Sequence, residues 1–227
     1  MFSMNQTASN TKHEIAMSAL KLFLNQGYES AIMQQLSEQT GRSLGNINYH
    51  FRRKEDILMF LHKNTIKRFI EEILDGCEEL ENPWIRYLTV HLAYLFMVIR
   101  EPSILNLYIS ATRLPSARAD YIQIFYEIFL KYFDADKAQL DKEDVFMKVI
   151  VLCGSEFEMV NLYSMDVKAY DFGFLMAYPI KAFLKLFSFE LSEIETMTEH
   201  VLPLGRKMAS QYWNTKESNL IRQLSPP

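Results

Sequence analysis

Apolar residues recur along this chain at intervals of three and four rather than two, and only seven glycines and seven prolines punctuate its 227 residues. That spacing aligns one face of an α-helix, whereas a half-buried strand needs strict alternation. The expected fold class is therefore all-α. A helix is expected over 11–26, with Ile15, Ala19, Leu22 and Phe23 on one stripe, and Gly27 stands where a left-handed residue ends a helix. A second over 31–39 would take Ser30 as its N-cap, and a third, capped by Ser43, would end near Tyr49. The same periodicity predicts helices over 54–79, 83–100, 102–113, 117–133, 142–165, 170–189 and 192–213. Pro83 and Pro102 then fall in first turns, where a missing N–H is harmless. Residues 214–227 are polar, close on Ser-Pro-Pro and are expected to fray.

Hydrophobic residues make up 49% and charged ones 23%, enough apolar surface for a packed core. The longest run free of Asp, Glu, Lys and Arg is 13 residues, Tyr87 to Ile99, short of the roughly 18 to 20 that a membrane span needs. No membrane partner is expected. The first residues have neither a basic start nor an apolar stretch of signal length, so the cytoplasm is the expected location. Cys77 and Cys153 stand apart with no CxxC, which suits buried reduced thiols better than a metal or redox site. Histidines at 13, 50, 62, 91 and 200 belong to no metal spacing, nucleophile elbow or Gly-rich phosphate loop. Neither catalysis nor a cofactor is expected.

Charge is unevenly spread. Up to Ile70 the chain carries nine Lys/Arg against five Asp/Glu, a balance of +4, so the remainder carries -8 to reach the total of -4. Six of the nine cations lie between Arg52 and Arg68. A polyanion-binding surface and a solvated helix face both fit that pattern.

The short helices over 31–39 and 43–49, joined through Thr40-Gly41-Arg42, are the ingredients of a helix-turn-helix. Ile47 would face inward against Leu36 and Phe23, leaving Leu44, Asn46, Asn48 and Tyr49 on other faces. Asparagine pairs with adenine through two hydrogen bonds, a contact that discriminates by about 1 to 3 kcal/mol. Arg42 could add a phosphate or base contact, or simply be solvated.

Residues 15–57 resemble the DNA-binding domain of the TetR family of bacterial transcription regulators, through the stretches IAMSALKLFLNQGYES, MQQLSEQTGRS and LGNINYHFRRKEDI. The resemblance implies a helix-turn-helix domain over 11–54, a helical effector-binding and dimerisation domain over 55–213, and a tail over 214–227. It also implies that Ser43 through Tyr49 enter the major groove, that Tyr49 and His50 hold phosphates, and that Lys54 contacts the DNA backbone. A mobile lysine beside a helix N-terminus suits that role. Phe51 reads as a hydrophobic plug. Departures from the family pattern are Ala31 where a Thr is frequent, Arg42 where the turn is usually apolar, and Asn48 in place of a frequent Tyr. The implied function is a dimeric regulator, most often a repressor in this family, on a pseudo-palindromic double-stranded operator, released by a small apolar or amphipathic effector. A regulator with a filled core and no effector is the alternative.

Downstream, the helices over 142–165 and 170–189 are apolar nearly all round and must be covered on every side. Pairing with their copies in a homodimer, through Val149, Leu152, Phe157, Phe174, Ala177 and Leu184, is the expectation; a large monomeric core is the other. Two aromatic stripes supply candidate pocket residues Trp84, Tyr87, His91, Tyr94, Phe125 and Phe129. Ordinary core packing would use the same residues.

Overall fold

The computed structural model describes residues 2–77, 79–134, 139–165 and 170–214. In chain order the helices are α1 (Phe2–Gln26), α2 (Met33–Thr40), α3 (Leu44–His50), α4 (Lys54–Gly76), α5 (Pro83–Val98), α6 (Pro102–Thr112), α7 (Pro115–Tyr132), α8 (Lys142–Ser164), α9 (Phe172–Leu186) and α10 (Leu191–Trp213). Among the described residues there is no strand, and no single helix is long and apolar enough to cross a membrane. The tail expected to fray lies almost wholly outside the described residues.

Most boundaries follow local capping chemistry. The Ser43 hydroxyl accepts the Asn46 N–H at 3.2 Å and starts α3, and the Asn82 side chain accepts the N–H groups of Trp84 and Ile85 ahead of α5. Asp171 accepts the Phe174 N–H, so α9 begins two residues later than expected, and Ser188 at φ 63° turns the chain out behind it. Ser30 is not the cap of α2. The extended residue Ile32 occupies that position, and the Gln35 side chain reaches back to accept its N–H at 3.0 Å.

Two apolar clusters form the interior. The head gathers Ile15, Phe23, Leu36, Ile47, Phe51, Ile57, Leu58 and Leu61, with Ala111 and Ala117 from α6 and α7 closing it. The body is built on α5, where every residue from Tyr87 to Val98 is buried, against α7, α8, α9 and α10. Full burial of such side chains contributes about 1.5 to 3 kcal/mol each. Helix α4 serves both, giving Ile57 to Leu61 to the head and Ile66 to Ile73 to the body. The head core therefore extends past the boundary expected at residue 54. At the α5–α10 crossing, a Cβ on Gly205 would lie 2.5 Å from Leu92 Cβ and 3.2 Å from the Ala93 nitrogen, so only glycine permits this approach.

Candidate nucleic-acid interface

The α2–α3 unit is held by its own short polar side chains. Gly41 takes φ 64°, a left-handed turn costly for any residue with a Cβ. The Thr40 hydroxyl donates back to the Leu36 carbonyl at 2.7 Å, and the Ser37 hydroxyl donates to the Arg42 carbonyl at 2.6 Å, tying the turn to the side of α2. Ile47 is fully buried against the head core and sets the roll of α3. The other faces of α3 carry Leu44, Asn46, Asn48 and Tyr49 into solvent, with Tyr49 81% exposed, and His50 half-buried beside it at a ring distance of 5.1 Å. A seven-residue helix cannot hold itself in water, so its presentation comes from this packing. Phe51 is 3% exposed and meets the edge of Phe60, the plug expected of it.

Two of the expected contact residues have other partners. Lys54 is not a mobile cation. Its ammonium donates to the carbonyls of Tyr28, Glu29 and Ala31 at 2.9, 3.1 and 3.2 Å and sits 4.5 Å from the Tyr28 ring centre. It clamps the turn between α1 and α2, a use that consumes all three of its donors. Arg42 is neither free nor simply solvated, because its guanidinium pairs with Glu14 of α1 at 2.7 Å. The cations left exposed next to α3 are Arg52 and Arg53, the latter paired in part with Asp56 at 3.5 Å. The site expectation omitted both; the basic run 52–54 was the available signal.

In the body, the candidate pocket aromatics fill one another's space. His91 stacks on Phe125 with ring centres 3.6 Å apart, Tyr87 meets Phe129 at 5.2 Å, and Trp84 is half-buried among Phe129, Phe133, Phe187 and Phe189. Tyr94 alone of the six lines a described cavity, one that opens toward the head. His91 has a partner: Glu156, from α8, lies 3.1 Å from its Nδ1, and the Tyr121 hydroxyl donates to the same carboxylate at 3.4 Å. Cys153 is one helical turn before Glu156, and burial pushes its thiol well above the usual range. The ring nitrogen, thiol and carboxylate of His91, Cys153 and Glu156 lie within 4.8 Å of one another, a compact polar knot in an apolar core.

The expected dimer residues also sort differently. Val149, Leu152, Phe157 and Leu184 are buried inside the single chain and cannot meet a second copy. Phe174 is 51% exposed and Ala177 half-buried. The exposed apolar residues here are Met147 and Val151 on α8, offset from the expected Val149 and Leu152, and on α9 the expected Phe174 together with Tyr178.

No protein-family model matches the chain. Among solved structures, RolR in complex with resorcinol superposes over 86% of this chain and 95% of its own, with a TM-score of 0.66 at 13% identity. TylP, a TetR regulator from Streptomyces fradiae, covers 88% of this chain and 93% of its own, with a TM-score of 0.54 at 13% identity. The chain has the TetR-family fold. In sequence, the HTH-type transcriptional repressor AcnR of Corynebacterium glutamicum is 35% identical over 68 residues, 30% of this chain. That match spans about a third of the relative's own length, 36%. The all-α TetR architecture is thus common to most of the chain, and sequence similarity extends further at lower identity, the negative transcriptional regulator IcaR of Staphylococcus epidermidis being 26% identical over 149 residues, 62% of this chain and 78% of its own length.

Proposed function

We propose that the chain is a DNA-binding transcriptional regulator, acting as a repressor, that docks α3 in the major groove of a pseudo-palindromic operator. One observation carries this reading: a short helix after the Gly41 turn is anchored by buried Ile47 and turns Asn46, Asn48 and Tyr49 outward. Asn46 and Asn48 are the base-reading groups. Ser43 is occupied as a cap and contributes through its backbone position. Tyr49, His50, Arg52 and Arg53 supply phosphate contacts, which position the protein without reading sequence.

Two heads are needed to read a palindrome, and the apolar stripe of Met147, Val151, Phe174 and Tyr178 is the surface that a second copy would cover. The half-sites then lie about one duplex turn apart, roughly 34 to 36 Å. Release by a small apolar or amphipathic effector completes the reading, and RolR, solved with resorcinol, supports a small-molecule role for the fold. Selection of bound duplexes from a random pool tests it. Enrichment of a two-fold symmetric motif is the expected result; recovery of no motif above background overturns the proposal.

A further inference from the structure

The polar knot of the body joins three side chains of metal-binding type from two helices. His91 of α5 is 1% exposed, and Cys153 and Glu156 of α8 are 0% and 2%. Cys153 and Glu156 stand three residues apart and so leave α8 on one face, where they meet His91, which lies 65 residues before Glu156 in the chain. The imidazole Nδ1 faces both carboxylate oxygens, at 3.1 Å from Oε1 and 3.2 Å from Oε2. A nitrogen lone pair and a carboxylate repel, so a positive centre has to lie between them. In an isolated pair that centre is the imidazole proton; the Cys153 sulfur adds a third donor at the same point.

Nitrogen, sulfur and carboxylate oxygen together are the donor set of zinc, whereas calcium and magnesium take oxygen. A divalent ion on one thiolate, one carboxylate and a neutral imidazole carries no net charge, which suits an apolar core. Tetrahedral zinc, about 2.0 to 2.3 Å from each ligand, sets its ligands roughly 3.3 to 3.8 Å apart. Donor atoms already within 4.8 Å of one another reach that spacing by shifts on the order of an ångström. Two tyrosines complete the surroundings. Tyr121 donates to Glu156 at 3.4 Å and orients the carboxylate. Tyr87, one turn before His91, is fully buried with its hydroxyl unpartnered; burial, then the adjacent Cys153 and Glu156, keep that phenol protonated. An orphaned hydroxyl at this point gives a water in the fourth position of the ion a hydrogen-bond partner.

We propose that His91 Nδ1, Cys153 Sγ and a Glu156 carboxylate oxygen bind one Zn2+ ion, which fastens α5 to α8 through the middle of the body. On binding, the thiol proton leaves to solvent and the imidazole proton resides on Nε2, so all three groups present lone pairs to the ion. The site is structural, and it stands independently of the regulator reading above.

The probe is Co2+, which reports a bound thiolate by charge-transfer absorption in the near ultraviolet. Full-length protein is refolded in the presence of Co2+, so that burial of the site does not bar entry, and excess metal is then removed. One Co2+ per chain with the thiolate absorption, displaced by Zn2+, is the expected result. Cys153→Ala should abolish the absorption and Cys77→Ala, the other buried thiol, should leave it intact. Glu156→Gln should keep the absorption while weakening Co2+ binding at least about tenfold. Cys153→Ala removes a single sulfur from the core, and circular dichroism confirms that it folds. No absorption from the refolded parent would mean that a proton alone joins His91 to Glu156. That outcome, absorption persisting in Cys153→Ala, or Co2+ bound without a thiolate signature, as surface histidines bind it, would each overturn the site.

Discussion

His91 Nδ1 lies 3.1 Å from Glu156 Oε1, with the two side chains only 1% and 3% exposed. The pair joins α5 to α8 through the middle of the body, and Tyr121 of α7 donates to the same carboxylate. Removing the carboxylate strands a ring nitrogen and a hydroxyl where water cannot replace it. Glu156→Ala is expected to lower folding stability by about 3 kcal/mol, and Glu156→Gln, which keeps an acceptor, by clearly less. Urea unfolding monitored by circular dichroism measures both; equal losses would show that the cost is steric.

Lys54 offers a second separation of roles. With its ammonium given to three carbonyls of the 28–31 turn, Lys54→Ala is expected to destabilise the head by about 1 to 2 kcal/mol. The salt dependence of DNA binding should remain that of the parent protein. A lysine neutralising a phosphate would instead lower the slope of log K against log salt by about 0.9 when removed. Binding titrations at several salt concentrations, paired with unfolding curves, distinguish the two.

Asn48 projects from the outer side of α3 and is exposed. As a base-reading group it should lose discrimination when truncated: Asn48→Ala is expected to weaken the selected duplex by about 1 to 3 kcal/mol and random duplexes far less. Competition binding with both duplexes checks this, and parallel losses would move Asn48 to a backbone role.

How much of this was legible in the sequence follows from the range of the interactions. Gly41, Ser43 and Ile47 act within a few residues, so the turn, the cap and the inward face of α3 were readable from pattern alone. Ser30 misled because a competing acceptor, Gln35, sits within reach of the same helix start. The facing of α8 was unreadable because a helix apolar on all sides has no preferred face; only contacts with α9 and the rest of the body separate buried Val149 and Leu152 from exposed Met147 and Val151. Lys54 finds its carbonyls 23 to 26 residues upstream, and His62 meets Tyr108 across the head–body junction. No local signal carries contacts of that kind.

The register of α8 makes the proposed dimer surface testable by position. Val151→Glu and Phe174→Glu place charges on exposed sites, so they should leave the single chain folded while converting the dimer to a monomer. Leu152→Glu, one residue on but fully buried, should instead cost several kcal/mol of folding stability. Sedimentation at micromolar concentration reads the first effect and thermal unfolding the second. Dimers persisting in both exposed-site variants would place the interface elsewhere.

His62 fixes the last expectation, the shape of the acid limb. Burial lowers its pKa from 6.5 to about 4, with the nearby Asp120 pulling weakly the other way. Above pH 6.5 the ring is neutral in both the folded and unfolded states and costs nothing. Between 6.5 and 4 the unfolded chain takes up a proton that the folded chain refuses, so stability falls as pH falls, by about 3 kcal/mol in total, and the loss levels off below 4. His62→Leu abolishes that contribution while leaving the carboxylates of the rest of the molecule to titrate as before. Unfolding free energies at pH 7 and pH 4 should therefore differ by about 3 kcal/mol more in the parent than in the variant. Parallel pH profiles would mean that the ring is protonated in the folded state.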